Sequence, residues 1–252
     1  MSDLRLVDVA LSYGSRTALA GLDVMIASGE RVAVLGPNGA GKSSLLRCMT
    51  GVLPLSRGQV LLDGVPLAEL GREAIARRIA VVPQQVDLPF AIRVEEVVAL
   101  GRIPHERSFH GPTAHDREIV DEAIHRVGLD AFVGRDAREL SLGERQLVLI
   151  AMAVAQQARL LLLDEPTVHL DLRHQVQVMD LLADLNDRDG LTILAVLHDL
   201  ALAAHYFPRA LLLDGGRLVA DGPPAQVLAP ERVRTTFGVD AAVWMGGARP
   251  GV

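Results

Sequence analysis

Cysteine, lysine and aromatic side chains are the scarce residues of this 252-residue chain. Cys48 is the one cysteine, which excludes an internal disulfide and a cysteine-built metal site and agrees with a reducing compartment. Aromatic residues make up 3% of the chain while apolar residues make up half, so Leu, Val and Ala must fill a sizeable core, and Cys48 is expected to lie in it. No stretch reaches the roughly 18 uninterrupted apolar residues of a membrane-spanning helix; the run from Leu147 to Ala155 stops at Gln156 and Gln157. Met1-Ser2-Asp3-Leu4 has neither a basic segment nor a signal-peptide core, so a cytoplasmic location is expected. A net charge of -6 without a block of arginines argues against nucleic acid as the main partner.

Lysine is scarcer than that charge requires. All basic residues but one are arginine, and the exception, Lys42, sits in Gly36-Pro37-Asn38-Gly39-Ala40-Gly41-Lys42-Ser43, which fits the phosphate-binding pattern G-x-x-x-x-G-K-[ST]. A compact ammonium on a flexible stem reaches between phosphates in a way a planar guanidinium does not. Arg31 to Leu35 reads as a short strand before the glycines and Ser43 to Met49 as a helix after them, the context this loop requires. The reading is a nucleoside-triphosphate site.

Leu4 to Ala10 alternates as a strand, and Gly58 to Gly64 reads as a strand entering a turn. Ala80 to Val82, Leu160 to Leu163, Thr192 to Leu197 and Ala210 to Leu213 are continuous apolar runs, as strands covered on both faces are. Helical patterns at His115 to Val127, Glu144 to Gln156 and Arg173 to Asp187 separate them, so the fold class is α/β. Between about Asp87 and Gln157 only helical segments appear, joined at Gly101 to Pro104 and at Ser108 to Pro112, which predicts a helical subdomain inserted between two core strands. No repeats occur, so the whole chain, 1–252, is expected to be one domain with one nucleotide site.

Leu160 to Leu163 end in Asp164-Glu165, and in an α/β sheet the ligand crevice lies at the carboxyl ends of the strands. Asp164 is then placed to hold Mg2+ together with the Ser43 hydroxyl, and Glu165 to act as general base on the attacking water.

Tyr13, the loop Gly36 to Ser44, Gln84, Ser141-Leu142-Gly143-Glu144, Leu163-Asp164-Glu165-Pro166-Thr167, Leu170-Asp171 and His198 stand in the order and spacing of an ATP-binding-cassette (ABC) ATPase, which the chain resembles over essentially its whole length. The resemblance implies a P-loop NTPase with a RecA-like core sheet, an antiparallel β subdomain and the helical insertion. It implies ATP and Mg2+ as cofactors, with Ser44 in the phosphate loop and Tyr13 stacked on adenine. Gln84 would join the metal site to the transporter contact, and His198 would touch the γ-phosphate, so that Glu165, His198 and Gln84 form the catalytic group. Asp171 would communicate across a dimer, and Ser141, Gly143 and Glu144 would belong to the signature segment that meets the ATP held by a second copy.

Plainer readings exist for each: Tyr13 as a strand aromatic, Gln84 as a polar strand end, Ser141 with Glu144 as a helix capping box, His198 as a satisfied buried histidine. Their joint order favours the functional set. His105, His110, His115 and the other remaining histidines form no metal-ligand cluster and read as surface. Three departures from the family pattern stand out: Leu142 where a glycine is usual, and Leu147 and Met152 where arginines are. If Leu142 must adopt positive φ, it strains the signature loop.

Val97 to Arg102 followed by Pro104, and the tail from Asp221 through Pro230 to Phe237-Gly238-Val239-Asp240, resemble the ATPase subunits of importers for iron-siderophores, haem and cobalamin. That resemblance implies a membrane permease, a second cassette and indirectly an extracytoplasmic substrate-binding protein as partners, no nucleic acid, and a place on the cytoplasmic face of the membrane. The other readings are a zinc or manganese importer ATPase and a non-transport ATP switch.

Overall fold

A computed structural model describes residues 3–84, 90–106 and 111–239. The chain divides into two compact units, Met1–Glu69 with Thr192–Val252, and Leu70–Leu191. Among the described residues no helix is long and apolar enough to cross a membrane.

The first unit begins with β1 (Leu4–Tyr13) and β2 (Arg16–Ile26), followed by β3 (Arg31–Leu35), α1 (Lys42–Met49), β4 (Arg57–Leu62) and β5 (Val65–Pro66). An antiparallel sheet of order β2-β1-β4-β5 buries Leu4, Leu6, Val9 and Leu11 together with Leu19, Leu22, Val24 and Ile26. Each such side chain contributes about 1.5–3 kcal/mol through burial. β1 runs three residues beyond the expected Ala10, and β2 was not expected at all. Asp8 in β1 takes φ 48 and Gly21 in β2 takes φ 72, and the β1–β2 register shifts beside each, so the two-residue period that would mark both strands is interrupted.

The second unit contains α2 (Arg72–Ala76), β6 (Ile79–Val82), α3 (Val94–Ala99), α4 (Ala114–Val127), α5 (Leu142–Ala155), β7 (Leu160–Asp164) and α6 (Leu172–Asp189). β6 and β7 are parallel, with Val82 opposite Leu163. Contrary to the expectation of a strand covered on both faces, Val81 is 38% exposed. Between α3 and α5 the described residues are helices and turns, with one isolated bridge between Arg93 and Asp136. The expected start of the insertion at Asp87 and its connector residues 108–110, including His110, lie outside the described residues. Three helix starts follow from their capping side chains: Thr113 for α4, Ser141 for α5 and Asp171 for α6.

A buried ion pair holds this unit's helices. Arg102 donates from Nε to Asp116 at 3.0 Å and from Nη1 to the Ala155 carbonyl at 2.8 Å and to Gln157 Oε1 at 3.0 Å. Hydrogen bonds from Thr113, joined by the Arg102 guanidinium, lower the Asp116 carboxyl to about 2. His105 departs from the surface reading: it is half-buried, and its Nε2 meets the Gln156 carbonyl oxygen at 2.8 Å.

The chain returns to the first unit with β8 (Thr192–Val196), α7 (Leu200–Tyr206), β9 (Arg209–Asp214), β10 (Arg217–Gly222), α8 (Pro224–Val227) and α9 (Pro230–Phe237). Within this unit β3 lies between β8 and β9, parallel to both, and its Val32 to Leu35 are fully buried. Cys48 is buried as expected, and burial pushes its thiol up to about 11. β10, whose residues all show some exposure, carried no apolar signature. Arg209 fastens β9 to its neighbours through Asp221 and Glu30, each at 2.7 Å. Asp240, the last tail residue singled out in the sequence, lies outside the described residues.

Candidate nucleotide site

In the first unit, β3 ends at Leu35 and the loop Gly36 to Gly41 carries the chain into α1. Gly36 has φ 149, and a Cβ there would stand 2.2 Å from the Leu213 carbonyl oxygen, so the loop admits no side chain at that point. Gly41 is the left-handed N-cap of α1, with φ 101 and no side-chain cap. The helix therefore opens with the positive end of its dipole beside the glycine loop, the arrangement that favours an anion. Lys42 is 6% exposed, and its Nζ donates to the carbonyl oxygens of Gly36 at 2.8 Å and Pro37 at 3.1 Å. The ammonium is thus held over the loop it serves.

Two further expected residues belong to this unit. Tyr13 is 46% exposed, and its hydroxyl lies 3.5 Å from Ser44 Oγ in the first turn of α1. β8 pairs with β3 so that Val196 stands opposite Val34, and Leu197 N donates to the Val34 carbonyl at 3.1 Å. His198 therefore leaves its strand at the same sheet edge as Gly36. It is exposed, which removes the buried-histidine reading, and Asp199 beside it caps α7 through Ala201 N and Leu202 N. Sequence reasoning missed Arg16, whose Nη2 lies 3.6 Å from a Cβ built on Gly39. The hairpin pairing of Tyr13 with Arg16 is the signal that would have found it.

The second unit carries the carboxylates. Asp164 closes β7, and Glu165 follows with φ 54, a left-handed conformation costly for a residue with a Cβ. Because β6 and β7 are parallel and in register, Gln84 leaves its strand beside Glu165, and its Nε2 donates to Glu165 Oε2 at 2.8 Å. Its amide nitrogen thereby donates to the carboxylate, and its amide oxygen is the acceptor end of the side chain.

The signature segment opens α5. Ser141 Oγ accepts from Glu144 N at 3.3 Å, and Glu144 Oε2 accepts from Ser141 N at 2.7 Å, so the capping-box reading holds in the structure. Those Ser141 hydrogen bonds hold the Glu144 carboxyl below its ordinary range, with His174 and Arg135 adding to the effect. Leu142 is the first residue of α5, half exposed and without positive φ, so the strain expected of it has no basis in this backbone. Gly143 is buried, and a Cβ there would lie 2.4 Å from the ring of His174, which itself bonds Asp171. His174 is the second neighbour of the candidate residues that sequence reasoning missed.

A glycine cradle at a helix start with a buried lysine, in a unit built on parallel strands, defines a P-loop nucleotide-binding protein. The matching family model is described as ABC transporter and spans residues 19–168. The chain belongs to the ABC transporter family, and as such it is an ATPase. It is 44% identical over 245 residues to the hemin import ATP-binding protein of Pseudomonas fluorescens, covering 95% of this chain and 94% of that protein. It is 40% identical over 243 residues to the petrobactin import ATP-binding protein of Bacillus anthracis, covering 96% and 89%. Among solved structures, a dimeric bacterial ABC transporter cassette matches with a TM-score of 0.78 at 28% identity, over 88% of this chain and 98% of that one.

Proposed function

We propose that this chain is the ATP-hydrolysing subunit of an importer for an iron-siderophore, haem or cobalamin, working as one cassette on the cytoplasmic face of the membrane against a separate permease. The carrying observation is the phosphate cradle from Gly36 to Ser44 with Lys42 buried over it, and the relatives' import roles favour this transport class. Lys42 and the α1 amides bind the β- and γ-phosphates, Tyr13 covers the adenine, and Arg16 adds charge near Gly39. Glu165 takes the proton of the attacking water, held in place by Gln84, while His198 meets the γ-phosphate.

Hard oxygen donors suit Mg2+, which takes one or two carboxylates and completes its octahedral shell with phosphates, waters and other oxygens. The Ser43 hydroxyl, the Asp164 carboxylate and the Gln84 amide oxygen fit that preference, and among the described residues no three of His, Cys, Asp and Glu gather as an all-protein cage. When bound, Mg2+ supplies neutralisation of charge on the phosphates. Ser141, Gly143, Glu144 and Asp171 face a second copy, so that two ATP molecules lie between two chains, and an extracytoplasmic binding protein delivers the cargo.

Reconstitution with the cognate permease in liposomes tests this reading. ATP enclosed on the cassette side should drive uptake of one of the three chelates, and an ATPase rate indifferent to permease and cargo would sink it.

A further inference from the structure

We propose that His174 is a positioning residue that locks the Asp171 turn to the signature segment Ser141 to Gly143, so that both present themselves to the second copy at one fixed spacing. The proposal rests on the reading above that these segments face that copy. Asp171 Oδ1 accepts two hydrogen bonds from the same residue, one from His174 N and one from His174 Nδ1, both at 2.9 Å. The first alone caps α6; the second does nothing for the helix end and instead fixes where the imidazole lies. The fixed ring occupies the volume that a side chain at Gly143 would need, with Cγ and Cδ2 each 2.4 Å and Cβ 3.0 Å from the position of an added Cβ. Gly143 has no positive φ, so glycine is required there for room and not for backbone freedom.

The charges around the ring agree with a lock. The Asp171 carboxyl is held below its ordinary range chiefly by the backbone and ring hydrogen bonds of His174. Glu144, on the other helix, also feels His174 as an attractive neighbour after its own Ser141 bonds. The ring is 26% exposed on its side chain, enough for one edge to pack on α5 while the other engages Asp171. The start of α5 and the start of α6 thus share one side chain.

Size exchange tests the lock. In a Glu165→Gln background, ATP-induced dimerisation is measured by light scattering, with binding of a fluorescent ATP analogue as the control for a folded first unit. Gly143→Ala should weaken dimerisation about tenfold or more when His174 is present and by much less alongside His174→Ala, because adjacent residues are non-additive. His174→Asn, which keeps a donor for Asp171, should retain most of the dimerisation, whereas His174→Leu, similar in bulk but without the donor, should fall to the level of His174→Ala. An equal cost of Gly143→Ala in both backgrounds, or native-like dimerisation of His174→Leu, overturns the proposal. Ser141→Ala separates the two layers of argument. If it leaves dimerisation untouched, the partner-facing reading fails and takes the lock with it; if it weakens dimerisation while the Gly143–His174 pair is additive, the lock alone fails.

Discussion

Gln84 and Glu165, 81 residues apart in sequence, are joined by a 2.8 Å hydrogen bond from Nε2 to Oε2. The bond holds the carboxylate in place at a residue whose backbone, at φ 54, already costs roughly 1 kcal/mol or more. Replacing Glu165 by Gln preserves the shape and an acceptor for Gln84 but removes the carboxylate proposed as base. ATP binding should survive, steady-state hydrolysis should fall by about 100-fold or more, and ATP-bound dimers should accumulate. Hydrolysis within a fewfold of the native rate would remove Glu165 from the catalytic role.

Lys42 donates to two loop carbonyls from a buried position, so charge and shape both matter there. Lys42→Ala should lower ATP affinity by about 10- to 100-fold through loss of charge-assisted contacts, and Lys42→Arg should not restore it, since the fork cannot occupy the same space. Calorimetric titration with ATP in both variants decides this, and native affinity of the arginine variant would refute it.

Arg16 is the near cation that the phosphate pattern does not include. Arg16→Ala should raise the ATP concentration needed for half-maximal hydrolysis a fewfold, with the effect shrinking in high salt as expected of a partly exposed charge. An unchanged KM at low ionic strength would assign Arg16 to the surface.

Leu142 begins a regular helix, so Leu142→Gly has no strain to relieve. The substitution should leave ATPase rate and dimerisation no higher than native and cost up to about 1 kcal/mol through weaker helix propensity. A clear rise in either activity would show that the closed dimer demands a backbone this structure does not display.

The Arg102–Asp116 pair makes stability depend on acidity. Asp116 is lowered from 3.8 to about 2, so its contribution is complete above 3.8 and is lost as pH falls through about 2. Asp116→Asn should flatten urea-unfolding midpoints across that window while lowering them at neutral pH. An unaltered slope of stability against pH would show that the pair carries no linkage.

The phosphate loop, the Asp164-Glu165 strand end and the three long helices were legible because each announces itself locally, by glycine spacing or by periodicity. β2 and β10 were not, because a register shift at Gly21 breaks the alternation of the first and the second alternates exposed with half-buried residues and buries none. Ser141 and Glu144 were legible as a cap; that Gly143 makes room for His174 was not, since glycine is silent about whether space or backbone angle requires it. The strain expected at Leu142 assumed the second reason, and this backbone supplies the first at its neighbour.

The parallel register of β3 and β8 has a consequence for how such a chain changes over time. Gly36 and His198 each stand two residues beyond a paired valine, Val34 and Val196, so the sheet, with strands about 4.8 Å apart, sets their separation. The long stretch of sequence between them plays no part in that distance. A change of length in a surface loop between them leaves this spacing alone, whereas one residue added after either valine shifts Gly36 or His198 out of step with the paired strands. The distance between these two positions is therefore written in the pairing of two strands and not in the length of chain that joins them.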